Sequence, residues 1–162
     1  MISIKTILQT FVIAATLFAC NTGKNEQEET FLSKIDLANL DGKSMESDQF
    51  QDKIIILNLW ATWCSPCIKE MPDLMKMQNE LTDDFVLLLA SDEGSEKIQK
   101  FTQRRGFDLK FIQIQNSMES LGVYSLPTTF IIGKDGQLLE TLVGTRKWDS
   151  PEQIEQLKTY LE

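Results

Sequence analysis

The chain has 162 residues, 42% of them hydrophobic, and a formal net charge of −8. That length fits one domain of the usual ~100–200 residues, and the acidic balance, with no basic stripe, excludes a nucleic-acid binder, which needs clustered Lys and Arg against phosphate. With three cysteines and no histidine, Cys–His and Ser–His–Asp catalysis are impossible, a c-type haem site lacks its histidine, and a structural zinc site is short of ligands.

The first element is a targeting segment. Lys5 precedes an apolar run from about Ile7 to Ala19, too short for a normal transmembrane helix of about 20 residues. It ends Leu17-Phe18-Ala19-Cys20, which resembles a bacterial lipoprotein signal with Cys20 as the lipidated residue. Phe18 is bulkier than that motif usually carries, and a plain secretory signal or an uncleaved anchor are the other readings. All three put the domain outside the cytoplasm. Residues 1–19 are thus read as signal, 20–30 as a polar, acidic tether without apolar period, and 31–162 as the folded domain.

In that domain Phe31 to Asp36 reads as a strand leading into a turn at Asp41-Gly42-Lys43, an N-terminal hairpin. Met45 to Asp52 suggests one short helical turn. Ile54 to Leu59, apolar except for Asn58, reads as a buried central strand. A tryptophan-rich turn then leads into Cys64-Ser65-Pro66-Cys67 and a helix from about Cys64 to Leu81. Its apolar face is expected to carry Ile68, Met71, Leu74, Met75 and Gln78, with a kink at Pro72. Phe85 to Ala90 is a second buried strand. Ser95 to Arg105 is a helix stopped by Gly106, Phe111 to Ile114 a short strand, and Ser117 to Val123 a short helix. Thr128 to Ile132 and Leu138 to Val143 flank Gly133-Lys134-Asp135-Gly136, a hairpin signal. Ser150-Pro151-Glu152-Gln153 supplies an N-cap, a proline at the first helical position and a capping-box Gln for a last helix with Ile154, Leu157 and Leu161 inward. Strands alternating with helices imply a parallel portion, and the hairpin adds an antiparallel edge. The fold class is a single layered α/β domain.

The chemistry concentrates at the cysteine pair. Pro66 fits the first helical turn, where its missing N–H has no partner to lose, so Cys64 falls at a helix N-terminus. The thiolate is the nucleophile, and the unpaired N–H groups at that end favour negative charge. Cys64 is therefore expected to attack, with a thiol pKa below the free value of about 8.5 and near 7. Cys67, three residues on, can reach back to resolve a mixed disulfide. Ser65 and Pro66, between the sulfurs, would tune the reduction potential.

Strand, W-C-x-P-C, a helix with an interior proline and a distant Leu126-Pro127-Thr128-Thr129-Phe130 before a hairpin together resemble the thioredoxin superfamily. Within it the chain looks like the TlpA/ResA-like membrane-tethered thiol–disulfide oxidoreductases, over roughly Phe31 to Glu162, with Trp148 and Ser150-Pro151-Glu152 as further agreement. The resemblance implies a thioredoxin-like three-layer fold: a mixed central sheet, helices on both faces and an N-terminal β-hairpin extension. It implies a cis bond at Pro127, beside the dithiol, and client contact through Trp63, Leu126 and Pro127. Glu70, three residues after Cys67, matches a glutamate that lies near the dithiol in the ResA-like branch. Buried there, it would titrate high and exchange a proton with Cys67; as an ordinary helix glutamate it would be solvated. Asn58 stands where thioredoxin has a buried aspartate, and asparagine cannot titrate, which leaves Glu70 as the carboxylate candidate. Trp60 and Trp63 read as packing and recognition residues.

The leading functional expectation is an extracytoplasmic dithiol–disulfide oxidoreductase acting as a reductant on disulfide-bearing client proteins. It needs no cofactor beyond the Cys64–Cys67 couple and no metal. The resemblance adds a membrane thiol electron donor and cytochrome c maturation as one task. The alternatives are a Cu(I) metallochaperone, which soft thiolates favour but which usually adds a histidine, a peroxidase of the same superfamily, and a structural lipoprotein with a static disulfide.

Overall fold

The computed structural model describes residues 29–161. The expected signal segment, Cys20 and most of the tether lie outside the described residues. Six strands, β1 (Leu37–Ala38), β2 (Ile54–Leu59), β3 (Phe85–Ser91), β4 (Phe111–Ile114), β5 (Thr128–Ile132) and β6 (Leu138–Val143), form one sheet in the order β1-β4-β3-β2-β5-β6. The pairs β2/β3 and β3/β4 are parallel; β1/β4, β2/β5 and β5/β6 are antiparallel. The three α-helices are α1 (Ser65–Glu80), α2 (Ser95–Arg105) and α3 (Pro151–Lys158).

Alternation along β2 divides the core. Ile54 and Ile56 join Met71, Leu74 and Met77 of α1, Ile98 and Phe101 of α2, and Ile154 and Leu157 of α3. Ile55, Leu57 and Leu59 face the other way, into Leu32, Ile35, Met45, Phe50, Met118 and Val123. The handedness of crossovers explains why α1 and α2 share a face. Steps from β2 to β3 and from β3 to β4 move in the same direction across the sheet, and right-handed connections then put both helices on one side. The opposite layer is made of short 3-10 helices, at Leu32–Lys34, Ser47–Phe50 and Glu119–Leu121, and the chain between them. The sheet is thus sandwiched in three layers.

Two expectations need correction. Phe31 to Asp36 is not a strand: Leu32–Lys34 is a 3-10 turn and the sheet is entered only at Leu37. Local hydrogen bonds explain this, because Ser33 N donates to Thr30 Oγ1 (3.1 Å) and Ser33 Oγ to Thr30 O (2.8 Å), a competition that serine and threonine offer to regular pairing. The hairpin itself is present but short. Met45 N donates to Leu37 O (2.8 Å) and Asn39 N to Lys43 O (2.8 Å) around the Asp41-Gly42 turn. The second correction is the face of α1, which buries Cys67, Glu70, Met71, Leu74 and Met77. Gln78 sits at its rim, Nε2 donating to Asp108 O (3.3 Å). A buried glutamate at position 70 does not register as core in an apolar pattern, and the expected stripe is rotated accordingly. α1 continues through Pro72 as one helix.

Candidate active site

The site lies at the C-terminal end of β2, where parallel strands present their carboxyl ends. Cys64 is the N-cap of α1, in extended backbone (φ −79°, ψ 94°), and its Sγ accepts from Cys67 N at 3.3 Å. Ile68 N donates to Cys64 O (3.1 Å), closing the first turn. Cys64 and Cys67 are joined in a disulfide with Cα atoms 5.3 Å apart. Cys64 is 2% and Cys67 1% exposed, whereas the adjacent Trp63 is 71% exposed. Ser65 and Pro66, between the sulfurs, face solvent. Once reduced, Cys64 feels two opposed influences: amide N–H groups that favour negative charge and burial that disfavours it.

Three residues past Cys67, α1 buries a carboxylate. Glu70 is only 4% exposed. Its Oε1 accepts from Asn58 Nδ2 (3.0 Å), and its Oε2 accepts from Trp148 Nε1 (3.1 Å) and Arg146 N (3.3 Å). Asn58 Nδ2 also donates to Thr129 Oγ1 at 3.0 Å. A primary amide buried in a central strand costs a few kcal/mol if unpaired, about 1–3 by protein mutational data. Asn58 avoids that cost by bridging β2 to α1 and β5. Burial pushes the Glu70 carboxyl above its usual range; hydrogen bonds from Asn58, Trp148 and Arg146 oppose this, and the nearby Asp73 charge adds to the rise. Such a group can hold a proton closer to neutrality than a solvated glutamate can.

The third part is the loop before β5. The Leu126–Pro127 bond is cis, as the resemblance implies. Pro127 is buried and Leu126 half-buried. Because Leu59 pairs with Thr128, Pro127 falls at the same sheet end as the loop that carries the cysteines. Pro127 O accepts from Gly144 N (2.9 Å). Gly144 has φ +86°, a left-handed conformation that glycine adopts without the Cβ penalty. That turn delivers Arg146 and Trp148 to Glu70.

Two contributions escape sequence reading. Trp148 figures in the sequence only as part of the resemblance, with no role, yet it is fully buried and donates to Glu70. Glu93, at the end of β3, pins the loop leading to Cys64: it accepts from Thr62 N (2.6 Å) and Thr62 Oγ1 (3.0 Å) and pairs with Lys97. Burial would raise the Glu93 carboxyl, but hydrogen bonds from Lys97 and Thr62 outweigh it and hold the group below its usual range. An acidic residue just past a parallel strand's carboxyl end is the signal that could have found it.

A dithiol couple at a helix N-terminus, on a thioredoxin-like sheet, defines a thiol–disulfide oxidoreductase. The AhpC/TSA family matches residues 29–141. The thiol-disulfide oxidoreductase ResA of Bacillus cereus is 34% identical over 130 residues, covering 78% of this chain and 72% of that one. The chain belongs to the AhpC/TSA family and, within it, to the ResA-like thiol–disulfide oxidoreductases. Among solved structures, the pneumococcal exposed lipoprotein thioredoxin Etrx1 of Streptococcus pneumoniae is 28% identical with a TM-score of 0.60, covering 76% of this chain and 97% of that one. A thioredoxin-family thiol:disulfide interchange protein of Chlorobium tepidum shares the fold at 23% identity and a TM-score of 0.62, covering 79% and 94%. Among the described residues no helix is long and apolar enough to cross a membrane.

Proposed function

We propose that Cys64 is the attacking sulfur and Cys67 the resolving one in the reduction of client disulfides. In the reduced protein the Cys64 thiolate attacks one client sulfur, the client S–S bond breaks, and a client thiolate leaves. Cys67 then attacks Cys64 Sγ in the mixed disulfide, closes the Cys64–Cys67 bond and expels the second client thiolate. Two electrons pass to the client, and the two protons that end on its thiols balance those lost from the two cysteines. The observation that carries this reading is the disulfide at the N-cap of α1, with a buried Glu70 three residues past Cys67 on the same helix. Glu70 takes the proton of Cys67 as that thiol becomes a nucleophile. Trp63, Leu126 and Pro127 form the contact surface for the client backbone, and Ser65 and Pro66 set the potential.

The finer parts of the reading follow from the N-terminal sequence and the ResA-like resemblance. The domain, residues 31–162, works outside the cytoplasm on a tether of residues 20–30, held to the membrane by a lipid on Cys20. Residues 1–19 are its signal peptide. The Streptococcus relative, described as an exposed lipoprotein, supports this placement. In that compartment the oxidised protein is recharged by a membrane thiol donor, and haem-attachment cysteines of cytochromes c are the client class. The test is turnover of a model protein disulfide with a small dithiol as donor. Wild-type protein catalyses it, and Cys64→Ala reduces the rate to background. Unchanged turnover in Cys64→Ala would refute the assignment.

A further inference from the structure

A cleft of about 440 Å³ opens beside the loop that leads to Cys64, lined by Thr62, Phe101, Arg104 and Arg105. It contains two guanidinium groups and no acidic residue, on a chain whose net charge is −8. Among the described residues neither arginine has a carboxylate within 4.0 Å, although Lys34, Lys43, Lys76, Lys97, Lys100, Lys147 and Lys158 all do. Arginines in the last turn of a helix complement its dipole, and that alone would account for their presence in α2. It does not account for where they point. Arg104 Nε donates back to Lys100 O (3.1 Å), which turns the side chain back along α2, in the cleft it shares with Thr62. The Arg105 guanidinium lies 5.7 Å from the centre of the Phe101 ring, which forms the floor. Both line the cleft, with planar donor edges suited to donating paired hydrogen bonds to carboxylates. Thr62, on the opposite wall, is one residue from the exposed Trp63 and two from Cys64.

We infer that this cleft docks a carboxylate-bearing stretch of the client polypeptide next to the disulfide being exchanged. The inference rests on the oxidoreductase reading above and adds a preference to it. Acidic segments are drawn to Arg104 and Arg105 against the long-range repulsion of the acidic chain, while Trp63 and the sulfurs engage the client disulfide. The mechanism is local attraction, effective over a Debye length of about 10 Å at 0.1 M salt.

The experiment compares two synthetic peptides, each with one intramolecular disulfide, flanked on one side by three glutamates or by three glutamines. The reduced full chain is mixed with each, and the rate of peptide thiol formation is measured. Wild-type protein is expected to reduce the glutamate peptide about fivefold faster at low salt, with the two rates converging at 0.5 M salt. Arg104→Glu/Arg105→Glu should reverse the order, and the milder Arg104→Gln/Arg105→Gln should abolish it. Both should keep the glutamine-peptide rate within about twofold of wild type, since neither arginine touches the sulfurs. Lys43→Glu/Lys134→Glu changes net charge as much as the double glutamate variant, at residues that do not line the cleft, and should retain the preference. Equal rates for the two peptides with wild-type protein, or a preference that survives both arginine variants, would overturn the docking inference. Exchange with neither peptide would instead refute the oxidoreductase reading itself.

Discussion

Helix α1 is fastened to the segment from Gly144 to Asp149 twice, by clamps on the same helix face but in different surroundings. At Glu70 the fastening is buried: one carboxylate takes N–H groups from Arg146 and Trp148 and, on its other oxygen, Asn58. One and two turns further along, Asp73 and Lys76 meet Lys147 and Asp149 at the surface, with Lys147 3.0 Å from Asp73 and Lys76 2.8 Å from Asp149. Hydrogen bonds from Lys76 and Lys147 hold the Asp149 carboxyl down, while burial pushes that of Glu70 up. Surface pairs are screened and contribute little, whereas groups left unpaired in the interior cost their full desolvation. The inner clamp should therefore carry the stability and the proton chemistry, and the outer one mainly the orientation of the loop.

Removing the inner carboxylate should have the largest effect. Glu70→Ala leaves Trp148 Nε1 and Arg146 N without acceptors and opens a small cavity, a loss of about 2–4 kcal/mol measurable by urea unfolding of the oxidised protein. The same group gives a pH signature. A carboxyl whose folded pKa lies above its unfolded value of 4.5 binds more protons folded than unfolded, so stability falls as pH rises from about 4.5 through the folded value and is flat above it. Glu70→Ala should remove that slope; a slope unchanged in the variant would break the comparison.

Trp148→Phe keeps the ring and deletes one donor, so a smaller loss of about 1–2 kcal/mol is expected. Glu93→Ala releases the Thr62 backbone and should slow client exchange about three- to tenfold by loosening the approach to Cys64, with the unfolding midpoint nearly unchanged. Lys147→Ala should do least. Its shift in midpoint should be smaller than that of Trp148→Phe and absent at 1 M salt. A Lys147 effect as large as that of Trp148 would mean that the outer clamp carries the stability.

What the amino-acid sequence reveals follows the range of the interactions. The bounds of β2, α2, β5 and β6 agree with those expected, because each rests on local pattern: the continuous apolar run of β2, the left-handed Gly106 at the end of α2 (φ +66°), and the Asp-Gly turn of the hairpin. The cysteines are legible for the same reason, being three residues apart on one turn. Glu70 could be named but not placed, since its partners Asn58, Arg146 and Trp148 lie 12, 76 and 78 residues away. The Phe31 to Asp36 segment misleads because its apolar residues suit either a strand or a 3-10 turn, and the Thr30–Ser33 hydrogen bonds decide between them. The Thr62–Glu93 latch joins residues 31 apart and has no local signature.

The central claim is tested most directly by mixing reduced Cys67→Ala protein with an oxidised client and mapping the adduct by mass spectrometry. A mixed disulfide on Cys64 should accumulate, because the sulfur that would release it is gone, while wild-type protein passes through the same species without accumulating it. An adduct carried by Cys67 in Cys64→Ala protein, with none in Cys67→Ala, would contradict the account.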